Sequence, residues 1–338
     1  MTQADAPTVE VDVVGWDDPD VVRLRDAQQA ELRERYGEDD IGHEMTGDDI
    51  VAVVRVRVDG EAVAIGALRD LDEDAAYDDV SPGTGEIKRM YVEPAHRGRG
   101  YSRLVLTELE RLATARDWRV LLLETGPLQP DAIGLYLRAG YFPVENYGEY
   151  VGVVDSRCFA KWLVPVPGAP RQERATGRVE LVRVPWQDPR AVALRRAMHE
   201  FNCQRYPELI PVFDAAGGFD GDDAQQGVGV VTATLALLDG EPVGHVALRA
   251  ARDGYPDGSG EVKKLYVDGV ARGAGVGRVL MEAVEADARE AGMSSLLLQT
   301  GVRQPEAVAL YVSLGYRPVV PFGPYAGDLL SLCFGKSL

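Results

Sequence analysis

The sequence predicts an α/β protein made of two copies of one domain, each a mixed sheet with helices on both faces. Three observations predict it. The stretch GEIKRMYVEPAHRGRGYS, Gly85 to Ser102, recurs as GEVKKLYVDGVARGAGVG, Gly260 to Gly277. In both copies an Asp-Gly turn joins two alternating apolar runs, which reads as a hairpin and not as a parallel crossover. Further along each copy, helical spacing alternates with short apolar runs, as expected where helices cover a sheet.

The elements follow in order. TVEVDVV is a strand, and Asp18-Pro19 and Asp188-Pro189 are the N-cap and first-turn proline of the next helix. VAVVRVRVDGEAVAIGALR and LALLDGEPVGHVALR form hairpins about Asp59-Gly60 and Asp239-Gly240. GEIKRMYV and its twin add a third strand to the meander. After the glycine-rich loop, Leu104, Val105, Leu109 and Leu112 mark a helix, as do Val276, Leu280 and Val284. VLLLET is a short buried strand. Pro130-Asp131 opens a helix with Ile133, Tyr136, Leu137 and Gly140 on one face, and two strands close each copy.

The repeat extends over the domain. Glu86/Glu261, Arg97/Arg272, Tyr136/Tyr311 and Cys158/Cys333 all stand 175 positions apart; Trp16/Trp186 and Tyr36/Tyr206 stand 170 apart. So long a period means a duplicated domain and not a solenoid. The Pro-rich stretch 164–177, VPVPGAPRQERATG, is the linker, which gives domains at 1–163 and 178–338.

Composition narrows the function. With 338 residues and 46% hydrophobic content, the chain is long enough for two ordinary cores. A net charge of −18 opposes phosphate backbones and argues against a nucleic-acid partner. Three cysteines and four histidines lack metal-ligand spacing, so no metal is expected. The start, MTQADAPTVEVD, is no signal peptide, and no apolar run is long enough to span a membrane; a cytoplasmic monomer, a pseudo-dimer within one chain, is expected. His43, His199 and His245 read as structural, and Cys158 and Cys333 as core.

Arg97-Gly98-Arg99-Gly100-Tyr101-Ser102 and Arg272-Gly273-Ala274-Gly275-Val276-Gly277 each sit between a strand and a helix. Glycines there permit positive φ and close approach of backbone N–H groups, and the helix N-terminus favours an anion with the arginine beside it. A pyrophosphate is the natural guest. A dinucleotide fold does not suit, because the strand belongs to a meander and the first copy lacks a third glycine.

These residues resemble the GNAT superfamily of acetyl-CoA-dependent N-acetyltransferases. Its signature is Arg or Gln, two residues, Gly, one residue, then Gly or Ala; Arg272, Gly275 and Gly277 match it fully, while Ser102 departs from it after Arg97 and Gly100. The later ETG…LY…GY segment also matches, at Glu124 to Tyr141 and Gln299 to Tyr316. Tandem members exist, mycothiol synthase among them, and the arrangement here is similar.

The resemblance implies acetyl-CoA as co-substrate and a primary amine of a small molecule as acceptor. The backbone at Met90, Tyr91 and Val92, and at Leu265, Tyr266 and Val267, would hold pantetheine, and the two loops would hold the diphosphate. Tyr136 and Tyr311 would face the departing thiolate, and Glu86 and Glu261 would serve as general bases. Otherwise, a tyrosine on an apolar helix face is core, and a glutamate opening a strand pairs with a nearby lysine. Two alternatives stand: one half is a CoA-binding module without transfer, with Ser102 pointing to the first, or the acceptor is a protein lysine or N-terminus. The acidic stretches near 35–49, 70–79 and 213–223 read as hydrated loops, the first and third flanking an acceptor pocket. Tyr147, Glu149, Tyr150, Phe322 and Tyr325 read as a further pocket wall.

Overall fold

The computed structural model describes residues 6–37, 47–71, 83–164 and 177–338. The chain divides into two compact units, Met1–Pro167 and Gly168–Leu338. The linker expected at 164–177 lies almost wholly outside the described residues, as do most of the first two acidic stretches and His43.

The first unit runs β1 (Val9–Val14), α1 (Pro19–Tyr36), β2 (Ile50–Val58), β3 (Glu61–Asp70), β4 (Thr84–Val92), α2 (Tyr101–Thr114), β5 (Val120–Thr125), α3 (Pro130–Arg138), β6 (Phe142–Val144) and β7 (Arg157–Trp162). Its sheet order is β1-β2-β3-β4-β5-β7-β6, antiparallel except between β4 and β5. The Asp59-Gly60 turn takes positive φ at both residues, 51° and 86°, matching the twist of the strands it joins. Asp18 caps α1 by accepting from the Asp20 N–H at 2.9 Å.

The two helices sit on opposite faces because β3 alternates. Ile65 and Ala67 pack with Val21 and Leu24 of α1, whereas Gly66 lies beneath Val105 and Leu109 of α2. A Cβ on Gly66 would stand 2.6 Å from the Val105 side chain, so glycine lets α2 seat on the sheet.

The second unit repeats this with β8 (Val179–Val184), α4 (Pro189–Arg205), α5 (Ile210–Ala215), α6 (Gly218–Gln226), β9 (Val230–Leu238), β10 (Glu241–Ala250), β11 (Ser259–Val267), α7 (Val276–Glu290), β12 (Ser295–Gly301), α8 (Pro305–Ser313), β13 (Arg317–Pro318) and β14 (Ser331–Ser337). Its order is β8-β9-β10-β11-β12-β14-β13, again with one parallel pair, β11 and β12.

Three local readings are corrected. Leu104 is 42% exposed, because Tyr101, Val105, Leu106 and Leu109 take the buried face of α2. Gly140 is not on the α3 face; it follows the helix at φ 91°, a conformation that stops it. The third acidic stretch is helical, not a hydrated loop: Asp222 binds Lys264 at 3.0 Å and Asp223 binds Arg195 at 2.6 Å, so both acids are neutralised within the fold.

Arg195 and His245 form a buried polar centre in the second unit. The His245 Nδ1 donates to the Lys264 carbonyl at 3.0 Å, which leaves Nε2 to accept from Arg195 at 3.4 Å. Burial, aided by the Arg195 charge, pushes the imidazole down to about 4. A depressed folded pKa supplies stability that is present above about pH 6.5 and lost as pH falls through about 4, up to about 3 kcal/mol. Urea unfolding of the second unit between pH 7.5 and 4 is therefore expected to show extra proton uptake, and His245→Gln is expected to flatten that slope.

Candidate active site

The parallel pairing ends early. Thr84–Ile87 pair with Val120–Leu123, but β4 runs on to Val92; in the second unit Ser259–Glu261 pair with Ser295–Leu297 while β11 runs on to Val267. Beyond these points the two strands part, and among the described residues no strand pairs with the edges of β4 and β11 facing β5 and β12; the Met90 carbonyl accepts from the Gln28 side-chain amide at 2.9 Å. A bulge accompanies the parting. Between Ile65↔Tyr91 and Ala67↔Lys88 the β4 strand carries one extra residue, and Arg89 takes φ 55°; Lys264 takes φ 51° at the same place in β11. A non-glycine residue there stores on the order of 1–2 kcal/mol of strain, held by the paired strands around it.

In the first unit the parted strands enclose a cavity of about 1060 Å³. Met90, Tyr91 and Val92 line one wall, Glu124 and Thr125 the other, and the glycine loop closes one end. Gly98 and Gly100 have φ 75° and 88°, Gly273 and Gly275 78° and 84°, and among the described residues nothing stands within 4 Å of a Cβ built on any of them. Among the described residues the amides of Gly98, Arg99, Gly100, Tyr101 and Ser102 meet no protein acceptor, nor do those of Gly273, Gly275, Val276 and Gly277; Ala274 bonds back to Ala271 at 3.4 Å. Together they form two open nests of donors at helix N-termini.

The loop arginines also bind within the fold. The Arg97 Nε holds the Val92 carbonyl at 2.9 Å, and its guanidinium pairs with Glu31; Arg272 holds the Val267 carbonyl at 3.1 Å and stacks 4.5 Å over Phe201. Each ties the end of the parted strand to the loop, which fixes the direction of the bare amides.

Tyr136 and Tyr311 are buried on α3 and α8, and Tyr136 lines the cavity. Burial pushes both phenols well above the ordinary range, with Glu124 adding to the effect at Tyr136. Both therefore keep their O–H at neutral pH and stay donors.

Glu86 and Glu261 are 0% exposed. The Glu86 Oε1 accepts from Tyr147 at 2.8 Å and Tyr150 at 3.2 Å and lies 3.7 Å from the Lys88 ammonium, and its other oxygen accepts from Arg69 at 3.4 Å. Glu261 accepts from Arg249 at 3.0 Å and Tyr325 at 2.9 Å, with Lys263 at 3.5 Å. Burial pulls the Glu261 carboxyl upward, but Lys263 and Arg249 outweigh it and hold it below the ordinary range. Burial lowers Lys263 to about 8. Tyr150 and Glu149 line the cavity, whereas Tyr147, expected beside them, does not and donates to Glu86 instead.

Two parted strands and a donor nest at each helix start recur in sequence and in structure, and in the first unit a cavity lies between the strands. The acetyltransferase (GNAT) family matches residues 19–141 and 193–316. The chain belongs to that family, and carries its domain twice. Over 104 residues, 31% of this chain and 66% of the relative, it is 45% identical to an IAA acetyltransferase of Azospirillum brasilense. Over 85 residues, 25% of this chain and 37% of the relative, it is 38% identical to N-acetyltransferase 8 of Mus musculus. The chain thus matches less than two thirds of either relative's length. Among solved structures, the PaiA N-acetyltransferase of Thermoplasma acidophilum in complex with coenzyme A aligns over 48% of this chain and 99% of that one, at 13% identity and TM-score 0.36. Among the described residues no group of three or more His, Cys, Asp or Glu is placed to hold a metal, and no helix is long and apolar enough to cross a membrane.

Sequence reasoning missed two residues of this GNAT site. Glu124 lies one residue past the last β4–β5 pair and lines the cavity. Burial pushes its carboxyl up to about 7, against a Ser156 hydrogen bond and the Lys88 charge. Gln299 takes its place in the second unit, donating to Ser331 at 2.9 Å. Tyr36, the last residue of α1, is the other. α1 packs on β3 and β4, yet the Tyr36 hydroxyl accepts from the Leu128 N–H at 3.2 Å, in the turn after β5, so it bridges the two arms of the cleft. Tyr206 accepts from Arg303 at 2.9 Å in the same way. The repeated pairs Tyr36/Tyr206 and Gly126/Gly301 were the available signal. A Cβ on Gly126 would stand 1.8 Å from the Tyr36 oxygen. Gly126→Ala is therefore expected to destabilise the first unit by about 1–3 kcal/mol, read as a lowered urea midpoint.

Proposed function

We propose that each half binds acetyl-CoA across its parted strands and that the protein transfers the acetyl group to a primary amine of a small molecule. The observation that carries this is the pair of open donor nests, each meeting an unpaired strand edge in the same orientation. The diphosphate would take the bare amides of Gly98 to Ser102 and of Gly273 to Gly277. The pantetheine arm, an amide-bearing chain, would add to β4 at Met90–Val92 and to β11 at Leu265–Val267, as a peptide adds to a sheet edge. Acetyl-CoA supplies an activated thioester; the protein's residues supply alignment and proton management.

An alkyl amine is protonated at neutral pH and must lose a proton before it attacks the acetyl carbonyl. The C–N bond then forms, the C–S bond breaks, and charge develops on sulfur. Tyr136 and Tyr311, kept neutral by burial, would donate to that sulfur. Glu86 and Glu261, which have no exposed surface of their own, would hold Tyr150 with Lys88 and Tyr325 with Lys263 in place behind the cleft. The cavity of about 1060 Å³, walled on several sides, suits a small acceptor. The N-acetyltransferases among the relatives support an amine as the class of acceptor.

Titration calorimetry with acetyl-CoA is expected to give two equivalents per chain, and a thiol-release screen over primary amines is expected to find turnover. Tyr136→Phe is expected to lower the maximal rate about 10- to 100-fold with acetyl-CoA affinity kept. Absence of acetyl-CoA binding to the full chain contradicts the proposal.

A further inference from the structure

Resting on the acetyl-transfer reading above, we infer that transfer is confined to the first half, where Glu124 takes the proton from the acceptor amine, and that the second half holds acetyl-CoA without comparable turnover. The silent role thus falls to the half opposite the one that Ser102 suggests.

Placement is the first support. Each unit has two acids or their equivalents on the strands that part: Glu86 and Glu124 on β4 and β5, Glu261 and Gln299 on β11 and β12. Glu86 is sealed beneath Tyr147, Tyr150 and Arg69. Glu124 instead stands where β4 and β5 separate, half-buried, on the wall opposite Met90–Val92 and lining the same cavity as Tyr136. An amine attacking a thioester held along β4 would meet Glu124 without any rearrangement of the ion-paired layer behind it.

The surroundings of Glu124 suit the task. Burial raises its proton affinity, Ser156 and Lys88 oppose that, and the Glu86 and Glu149 charges add to it, so the carboxyl titrates at about 7, where its ionised form can take a proton. In the step itself, one N–H bond of the ammonium breaks and its proton passes to the Glu124 carboxylate. The freed lone pair forms the C–N bond and the C–S bond breaks. The second proton shed by nitrogen ends on the coenzyme's sulfur, where Tyr136 donates, and Glu124 returns its proton to solvent. Ammonium and thioester thus give amide, free thiol and one released proton.

The second half lacks this group. Gln299 occupies the same register, pairing with Cys333 as Glu124 pairs with Cys158. Its amide donates to Ser331 and has no basicity in this range. Glu261, the remaining acid on β11 and β12, is closed in by Arg249, Lys263 and Tyr325. The cofactor features meanwhile persist there: donor nest, unpaired β11 edge and Tyr311.

The second half also supplies the control substitution, since glutamine is already folded into this position with a serine partner. Full-length wild type and Glu124→Gln are compared by thiol release from acetyl-CoA with the twenty L-amino acids, spermidine and glucosamine as acceptor probes, from pH 5.5 to 9. Acetyl-CoA calorimetry runs alongside. The variant is expected to bind two acetyl-CoA with unchanged affinity and to lose about 100- to 10,000-fold in rate. The wild-type rise in rate through about pH 7 is expected to vanish with it. A variant within a few-fold of wild type, one that keeps the limb near pH 7, or one that loses a binding equivalent overturns the inference while acetyl transfer stands. Wild type that binds acetyl-CoA but releases no thiol with any probe overturns the transfer reading itself, and this inference with it.

Discussion

The parting of β4 from β5, and of β11 from β12, is the constraint on which the rest of each unit depends. A strand edge left without a partner exposes N–H and C=O groups that must be satisfied by something. The fold keeps that edge open by several devices acting together. A bulge with a left-handed Arg89 or Lys264 turns the strand, the loop arginine ties its last carbonyl, and Tyr36 or Tyr206 holds α1 or α4 across to the far arm. Each is modest alone. Together they prevent the collapse that would pair the two strands along their whole length.

Charge is managed in the same layered way. Behind the cleft, Glu86 and Glu261 are locked by arginine, lysine and tyrosine, which orders the wall that faces the cavity. Breaking such a buried pair leaves an uncompensated charge, so these glutamates couple the stability of the unit to the shape of its cleft. In front of that layer lie groups with freedom to act: bare amides, neutral phenols and, in the first unit alone, a half-buried carboxylate on the fifth strand.

Much of the architecture was legible from residue patterns. The Asp-Gly hairpins, the proline-led helices and the duplicated loop before α2 and α7 follow from local conformational demands, and the structure has them where those demands place them. What was not legible depends on pairing between distant strands. Whether Glu86 or Glu124 faces the cavity is decided by where β4 and β5 cease to bond, and no local pattern encodes that. Arg97 read as a cation beside a phosphate because its sequence neighbours are loop glycines; its hold on the Val92 carbonyl was not legible, since that carbonyl is exposed to it only after the strand parts. The acids of α6 read as solvated because Arg195 and Lys264, which neutralise them, lie on other elements.

The most direct measurement is a crystal structure of the full chain grown with coenzyme A. The account predicts diphosphate oxygens within hydrogen-bond distance of the Gly98–Ser102 and Gly273–Gly277 amides, with pantetheine paired to the free edges of β4 and β11. A coenzyme bound away from both loops, or strands closed along their full length, would contradict it.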